Sequence, residues 1–166
     1  MPKVLVVMGS DSDYPVMEPC FAQLKQLGVL FDAVVCSAHR TPQKAAELAG
    51  NAIANGYGVV IAAAGLAAHL PGVLAAYTTL PVIGVPVAGG ALNGVDALYA
   101  IVQMPAGIPV ATVAINGGAN AAILAAQILA VSDSELRQRL IEAKQKLAES
   151  VEQRNQRLQQ KLNADY

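Results

Sequence analysis

Residues 59–72 read VVIAAAGLAAHLPG, and this stretch decides the expected fold. It opens with an apolar, β-branched run, Val59–Ala63, which is typical of a short buried strand. Proline is common as the first residue of a helix, because a backbone amide at that position has no hydrogen-bond partner within the helix. Pro71 therefore fits a helix start. The stretch therefore predicts a strand, then a loop that contains His69, then a helix that begins near residue 70.

The same unit recurs along the chain at intervals of about 25 to 30 residues, which is typical of alternating strands and helices. The remaining strands are predicted at Lys3–Met8, Asp32–Cys36, Pro81–Val85 and Val110–Ala114, and the helices at 15–27, 42–55, 70–77, 94–103 and 120–130. This alternation predicts an α/β protein with a three-layer, doubly wound parallel sheet. Because no linker interrupts the pattern, we expect a single domain over residues 1–166, with an α/β core at 1–132 and a C-terminal helical extension at 133–166.

The extension is predicted to be one long helix from Ser134 to Asn163. Its apolar residues are spaced 4, 7, 4, 7 and 4 apart, and this 11-residue period keeps them in one stripe on a nearly straight helix. The stripe consists of Leu136, Leu140, Leu147, Val151, Leu158 and Leu162. We expect the stripe to pack on the domain or on a neighbouring subunit, and the polar face to be solvated.

Charge is sparse and unevenly placed. The chain is 54% hydrophobic and 14% charged, with a formal net charge of −1, so no overall field attracts nucleic acid or an anionic membrane. Between Glu47 and Asp133 the one charged side chain is Asp96. Glycines and prolines interrupt this stretch before it reaches the roughly 18 to 20 apolar residues of a membrane-spanning helix. Alanine-rich helices with so little charge indicate surfaces covered by neighbouring subunits, and hence a homo-oligomer.

The N-terminus and the cysteines indicate the compartment. Residues 1–8 lead directly into a predicted core strand and lack the regions of a signal peptide. Cys20 and Cys36 have no metal-binding or redox spacing, which is typical of buried thiols in a reducing environment. We therefore expect a cytoplasmic protein.

Ligands of an open parallel sheet bind beyond the carboxyl ends of its strands, so the loops after the strands are the candidate site. The first of these loops is Gly9-Ser10-Asp11-Ser12-Asp13. Its hydroxyls and the amides of the following helix suit an anion or a sugar, and Asp13 suits ribose hydroxyls. Ser12 or Asp13 is also expected to cap the helix.

The second loop is Ser37-Ala38-His39-Arg40-Thr41-Pro42. Thr41 as N-cap and Pro42 as first helical residue define a helix start, which leaves His39 and Arg40 at the end of the strand. A guanidinium binds phosphate through two parallel hydrogen bonds. An imidazole, with an ordinary pKa of about 6.5, exchanges protons at neutral pH. The loop therefore predicts a phosphate anchor beside a general acid or base.

The third loop, Ala64–Gly72, offers backbone amides upstream of Pro71 that suit a carboxylate or oxyanion. Here His69 either takes part in the site or anchors the loop through a hydrogen bond. Two histidines and two isolated cysteines do not assemble a zinc or multi-carboxylate metal site. The GxGxxG, GxSxG and GxxxxGK[ST] motifs are absent from the sequence. These residues predict acid/base chemistry on a nucleotide-like substrate, without metal or cofactor.

Together, Gly9–Asp13, Ser37–Pro42 and Ala67–Gly72 closely resemble the three signature loops of the N5-carboxyaminoimidazole ribonucleotide mutase family. Further similar segments bring the resemblance to about residues 3–132: Gly84–Val87, Gly89–Leu92, Gly94–Leu98, Ile101–Pro105 and Asn120–Leu129. Where this chain has Leu66, glycine is common in the family.

The resemblance implies a flavodoxin-like fold, a homo-octamer and a step of purine biosynthesis that uses no metal or cofactor. The family moves a carboxylate from the exocyclic N5 to ring carbon C4 of an aminoimidazole ribonucleotide. By this resemblance His39 is the general acid and base. It protonates N5 as the carbamate loses CO2, and it removes the C4 proton once C4 has attacked the trapped CO2.

The resemblance also implies binding roles and partners. It assigns the ribose phosphate to Ser10, Ser12, Asp13 and Arg40, the flanks of the base to Ser37 and Ala38, and the lining of the carboxylate or CO2 pocket to Gly65, His69 and Leu70. The implied partners are a small-molecule ribonucleotide, other copies of the chain and, transiently, the upstream carboxyaminoimidazole ribonucleotide synthetase, but neither nucleic acid nor membrane.

Two other functions compete with this one. The sister activity, direct carboxylation of aminoimidazole ribonucleotide with CO2, shares the fold and the histidine. A non-catalytic response-regulator module is favoured by Asp11 and Asp13, but it requires an aspartate after the third strand, where this chain has Ala64 and Gly65.

Overall fold

The computed structural model describes residues 2–165. Over this range five parallel strands form one sheet in the order β2-β1-β3-β4-β5. The strands are β1 (Lys3–Met8), β2 (Phe31–Val35), β3 (Tyr57–Gly65), β4 (Val82–Val87) and β5 (Ala111–Thr112). The helices are α1 (Tyr14–Gln26), α2 (Pro42–Gly50), α3 (Leu70–Tyr77), α4 (Val95–Val102), α5 (Gly118–Leu129) and α6 (Ser134–Asp165), and a short 3-10 helix (Asp11–Asp13) precedes α1. The predicted doubly wound parallel sheet is confirmed.

Helices cover both faces of the sheet, which gives three layers. Because successive side chains of a strand point to opposite faces, β1 sends Val4 and Val6 to one core and Leu5 and Val7 to the other. The first core lies under α1 and α5, and the second lies under α2, α3 and α4. Strands buried on both faces require continuous apolar sequence, and this is why β1, β3 and β4 were readable from the sequence.

The prediction that all five strands are buried is wrong for the two edge strands. In β2, Asp32, Ala33 and Val35 are exposed. Strand β5 was expected over 110–114, but it pairs with β4 through two residues, Ala111 and Thr112. An edge strand has a neighbour on one side and incomplete cover, and a sequence pattern does not reveal a strand's place in the sheet order.

Helix α2 ends at Gly50, five residues before its predicted end. The chain then makes a series of turns, in which the Asn55 amide donates to Asn51 O at 3.0 Å. Gly56 closes them with φ +81°, a left-handed conformation that costs glycine little. Asparagine and glycine favour turns over helix, so the helix stops where they begin.

Helix α6 leaves the core after its first turns. Leu136 is fully buried and Leu140 packs partly against the core, but Leu147 is 65% exposed and Val151 is 63% exposed. At 1.5 Å per residue the 32-residue helix is about 48 Å long, so its C-terminal part extends beyond the α/β core. The expected packing on the domain is therefore correct for the first part of the stripe only. No helix among residues 2–165 combines the length and the apolar character that crossing a membrane requires.

Candidate active site

A cleft of about 520 Å³ lies beyond the carboxyl ends of β1 and β3, where the strand order reverses and α/β sheets bind ligands. The loops after β1, β2 and β3 line it, as predicted from the sequence. The loop after β4 is a fourth wall that the sequence analysis did not include. The lining residues are Gly9, Ser10, Ser12, Asp13, Ser37, Ala38, His39, Arg40, Ala64, Gly65, Leu66, Ala67, Leu70, Val87, Ala88, Gly89 and Gly90.

The loop after β1 is held by a reciprocal capping box. The Ser10 hydroxyl accepts a hydrogen bond from the Ser12 amide at 3.3 Å, and the Asp13 carboxylate accepts one from the Ser10 amide at 3.0 Å. Asp13 occupies the N-cap position of α1, as expected, but its side chain makes no capping hydrogen bond to that helix. Its carboxylate instead completes the capping box of the short 3-10 helix, whose N-cap is Ser10. The Ser12 hydroxyl also donates to the Ser10 hydroxyl at 2.9 Å, so both hydroxyls are gathered at one point of the cleft.

Asp13 is an unusual carboxylate, because it is 7% exposed and lies at the floor of the cleft. Burial raises its pKa, and the hydrogen bonds from the Ser10 and Gly9 amides oppose that rise. A buried carboxyl whose charge is only partly compensated is typical of a functional site.

The loop after β2 presents His39 and Arg40 to the cleft. The predicted helix start is confirmed, with Thr41 as N-cap and Pro42 in the first turn. The Thr41 hydroxyl donates to Ser37 O at 2.8 Å, and the Arg40 amide donates to the Ser37 hydroxyl at 3.2 Å. Ser37 thus braces the loop, while the side chains of His39 and Arg40 are exposed.

The loop after β3 offers fewer free amides than expected. The Ala68 amide donates to Leu66 O and the His69 amide donates to Ala67 O, both at 2.8 Å. Helix α3 begins at Leu70 with His69 as N-cap, so Pro71 is the second helical residue instead of the first. Leu66 has φ +53°, a left-handed conformation that glycine adopts at lower cost.

The two histidines of the chain meet at the edge of the cleft. His39 Nε2 lies 2.9 Å from His69 Nδ1, and the rings pack edge to face with centroids 4.9 Å apart. Strand β1 lies between β2 and β3, so the contact spans the carboxyl end of β1. His39 lines the cleft, and His69, expected in the carboxylate pocket, reaches the cleft through its contact with His39.

The missed fourth wall consists of Val87, Ala88, Gly89 and Gly90. It contributes backbone and small apolar side chains to the cleft, and residues of these types do not by themselves indicate a site in a sequence. The Ala88 amide donates to the Asn116 side chain at 2.8 Å, which ties this loop to the one after β5. The signal in the sequence was the glycine pair Gly89-Gly90, which follows closely after the predicted strand Pro81–Val85.

The two cysteines are free and buried, as predicted. Burial raises the pKa of Cys20 to about 12, so its thiol is unreactive at neutral pH. Within residues 2–165, no group of three or more His, Cys, Asp or Glu side chains is placed to hold a metal ion.

Comparisons with known proteins identify the family of this chain. The chain matches the AIR carboxylase family model over residues 3–150. It is 51% identical over 160 residues to the N5-carboxyaminoimidazole ribonucleotide mutase of Thermotoga maritima, covering 96% of this chain and 94% of that protein. It is 58% identical over 134 residues to a phosphoribosylaminoimidazole carboxylase of Candida albicans, covering 81% of this chain but 24% of that protein.

A crystal structure of Treponema denticola PurE matches the fold with a TM-score of 0.87 at 27% identity, covering 95% of this chain and 99% of that one. The family match and the high identity to the Thermotoga maritima protein extend over nearly the whole chain and include all four walls of the cleft. The protein therefore belongs to the AIR carboxylase family, as the three loops predicted.

Proposed function

We propose that this protein is an N5-carboxyaminoimidazole ribonucleotide mutase of purine biosynthesis, which moves a carboxylate from N5 to C4 of its substrate. The observation that carries the proposal is the place of His39. It is exposed at the switch point of the sheet, between a loop of gathered hydroxyls and a wall of small residues. The relatives that match over nearly their whole length bear the same name.

One half of the cleft suits a ribose phosphate. The hydroxyls of Ser10 and Ser12 lie 2.9 Å apart, and the Arg40 guanidinium makes no ion pair with another described residue. Arg40 is thus available for the two parallel hydrogen bonds that a phosphate accepts. Asp13 lies deeper, where its carboxylate can accept hydrogen bonds from ribose hydroxyls or brace the phosphate-binding loop. Ser37 and Ala38 lie beside Arg40 in the cleft, where we place the flanks of the base.

The other half of the cleft suits CO2. Its wall consists of Ala64, Gly65, Ala67, Leu70 and Val87, all small or apolar. CO2 carries no charge, so an apolar wall holds it without a hydrogen-bonding penalty and admits little competing water. We place the migrating carboxylate in this half, beside Gly65 and Leu70.

His39 carries the proton in the proposed reaction. Its imidazolium protonates N5 as the N5–carboxylate bond breaks, which releases CO2 and the amine. The electron pair of C4 then attacks CO2, and the neutral imidazole removes the C4 proton to restore the aromatic ring. No proton is gained or lost overall, so a single imidazole returns to its starting state.

The experiment that tests the proposal supplies the two candidate substrates separately. We expect rapid turnover of N5-carboxyaminoimidazole ribonucleotide and little product from aminoimidazole ribonucleotide with bicarbonate. The reverse result would establish the direct carboxylase instead. That second function is favoured by the 58% identity to the Candida albicans carboxylase, although the chain spans a quarter of that protein.

We also propose a homo-oligomer, with the octamer implied by the resemblance as its form. Its support is apolar surface without cover within the chain, on α4 at Val95, Tyr99 and Val102 and on α6 from Leu147 onward. Sedimentation equilibrium tests this, and a monomer would contradict it. A cytoplasmic location and a transient contact with the upstream synthetase follow from the proposed reaction, since it consumes that enzyme's product.

A further inference from the structure

The contact between the two histidines involves one defined nitrogen of each ring. His39 Nε2 and His69 Nδ1 are 2.9 Å apart, the length of an N–H···N hydrogen bond. Such a bond holds one proton, so one ring donates and the other accepts. The bond also occupies Nε2 of His39 and leaves its Nδ1 as the nitrogen free to meet a substrate.

The surroundings of His69 indicate which ring accepts. His69 is the N-cap of α3, yet its side chain makes no capping hydrogen bond. Among the described residues, its ring forms a hydrogen bond with His39. The N-terminal end of a helix carries partial positive charge, which disfavours a cation there. A neutral His69 with its proton on Nε2 presents a lone pair at Nδ1, and this lone pair suits the role of acceptor.

We infer that His69 is a positioning residue, which accepts a hydrogen bond from His39 Nε2–H and thereby makes Nδ1 the working nitrogen of His39. The hydrogen bond made by one ring nitrogen sets the protonation of the other. When His39 is neutral, the hydrogen bond to His69 keeps the proton on Nε2, so the Nδ1 lone pair of His39 is available as a base. In the imidazolium state it leaves Nδ1–H available as an acid.

This inference rests on the proposed function for its effect on turnover, but not for the contact itself. His39 lines the cleft and His69 is not among the lining residues, so we assign the effect of His69 on turnover to its contact with His39. Its loss should lower kcat and leave KM unchanged. Loss of a residue that orients a metal-ligating side chain typically costs about 10- to 100-fold in activity, and we expect an effect of similar size here.

The contact is tested by nuclear magnetic resonance with 15N-labelled histidine. The chain has two histidines, so four ring nitrogens give the whole spectrum, and the variants His69→Ala and His39→Asn assign them. At alkaline pH we expect His39 as the Nε2–H tautomer, with a 15N–15N coupling to His69 Nδ1 across the hydrogen bond. A His39 ring with its proton on Nδ1, or the absence of that coupling, would overturn the inference.

The kinetic test uses two substitutions at the same position. His69→Ala removes the acceptor, whereas His69→Asp supplies an oxygen at the place of Nδ1 that only accepts. We expect His69→Ala to lose about 10- to 100-fold in kcat with a mixture of His39 tautomers, and His69→Asp to restore both the Nε2–H tautomer and most of the activity. Equal kcat values for His69→Ala and the unmodified protein would overturn the role in turnover, while the proposed function would still stand or fall on the substrate assay.

Discussion

Two aspartates at opposite ends of the same sheet have their pKa values shifted in opposite directions. Asp32 lies at the amino end, where Lys3, Asp32 and Tyr57 stand near the starts of β1, β2 and β3. Asp32 accepts from Lys3 at 2.7 Å and from Tyr57 at 2.8 Å, and these hydrogen bonds lower its pKa. Asp13 lies beyond the carboxyl end of β1, where burial raises its pKa.

The difference separates a region whose charged groups bind one another from a region whose polar side chains face a cleft. At the amino end the charged groups satisfy one another, and the Lys3 ammonium also lies 4.7 Å from the centre of the Tyr57 ring. At the carboxyl end Arg40, His39 and Asp13 face a common cleft. The Arg40 guanidinium there makes no ion pair with another described residue. Groups held at a cost to the fold are typical of active sites, so the two ends should respond differently to substitution.

The largest expected effect is on turnover at the carboxyl end, from His39→Asn. Asparagine does not exchange protons at neutral pH, so kcat should fall by about 10²- to 10⁴-fold, the usual contribution of general acid–base catalysis. Because His39 is exposed, the melting temperature should hardly change. The measurement is steady-state turnover of N5-carboxyaminoimidazole ribonucleotide, beside circular dichroism of the variant. Near-normal kcat would refute the proton-transfer role.

The next effect is on substrate binding, from Arg40→Ala. A hydrogen bond to a charged group contributes about 1.5 to 3 kcal/mol, so KM should rise by about 10- to 150-fold while kcat changes less. Arg157→Ala, an exposed arginine on α6, is the matched control and should leave KM unchanged. A fall in kcat at constant KM would place Arg40 in the chemical step instead.

A smaller effect, and one that sharpens the comparison directly, is the pH dependence of stability in Asp13→Asn. A raised folded-state pKa means that the folded protein binds more protons than the unfolded chain. The contribution of Asp13 to the stability of the folded protein is therefore greatest at a pH below the ordinary carboxyl pKa of 3.8. This contribution is lost as the pH rises through the raised pKa of the folded state. The variant lacks this loss, so its stability relative to the unmodified protein should increase from pH 4 to pH 7.

Denaturant unfolding at a fixed protein concentration measures this difference, since oligomerisation makes stability depend on concentration. Asp32→Asn is the control, because the change of its stability with pH, relative to the unmodified protein, should have the opposite sign. Its lowered pKa contributes stability above the ordinary value that is lost as the pH falls. Parallel pH profiles for the two variants would refute the contrast between the two ends.

The smallest effect is expected at the amino end, from Lys3→Met. The Lys3–Asp32 pair is partly exposed, and exposed ion pairs contribute little because water and salt screen them. We expect a slight fall in melting temperature that disappears in high salt, with kcat and KM unchanged. A clear loss of turnover would show that the two ends of the sheet are coupled.

The accuracy of the sequence predictions follows how local each feature is. Strand β1 was predicted to the residue and the start of helix α3 to within one residue, because a buried apolar run and a proline in the first turn are contained in the segment itself. Strand β5 and the end of α2 were misjudged, because one depends on a place at the sheet edge and the other on turn chemistry that competes with the helix. The apolar stripe of α6 was predicted to pack on the domain or on a neighbouring subunit, and its part from Leu147 onward packs on no described residue of the core.

The parallel α/β sheet, three of the four walls of the cleft and the presence of His39 and Arg40 in it could all be predicted from the sequence. Periodicity and strand-end position encode these features within short segments. Three further features became visible in the folded chain alone: the loop after β4 lines the cleft, burial raises the pKa of Asp13, and His69 contacts His39. These features depend on the strand order, which sets β1 between β2 and β3 and brings together residues 30 positions apart.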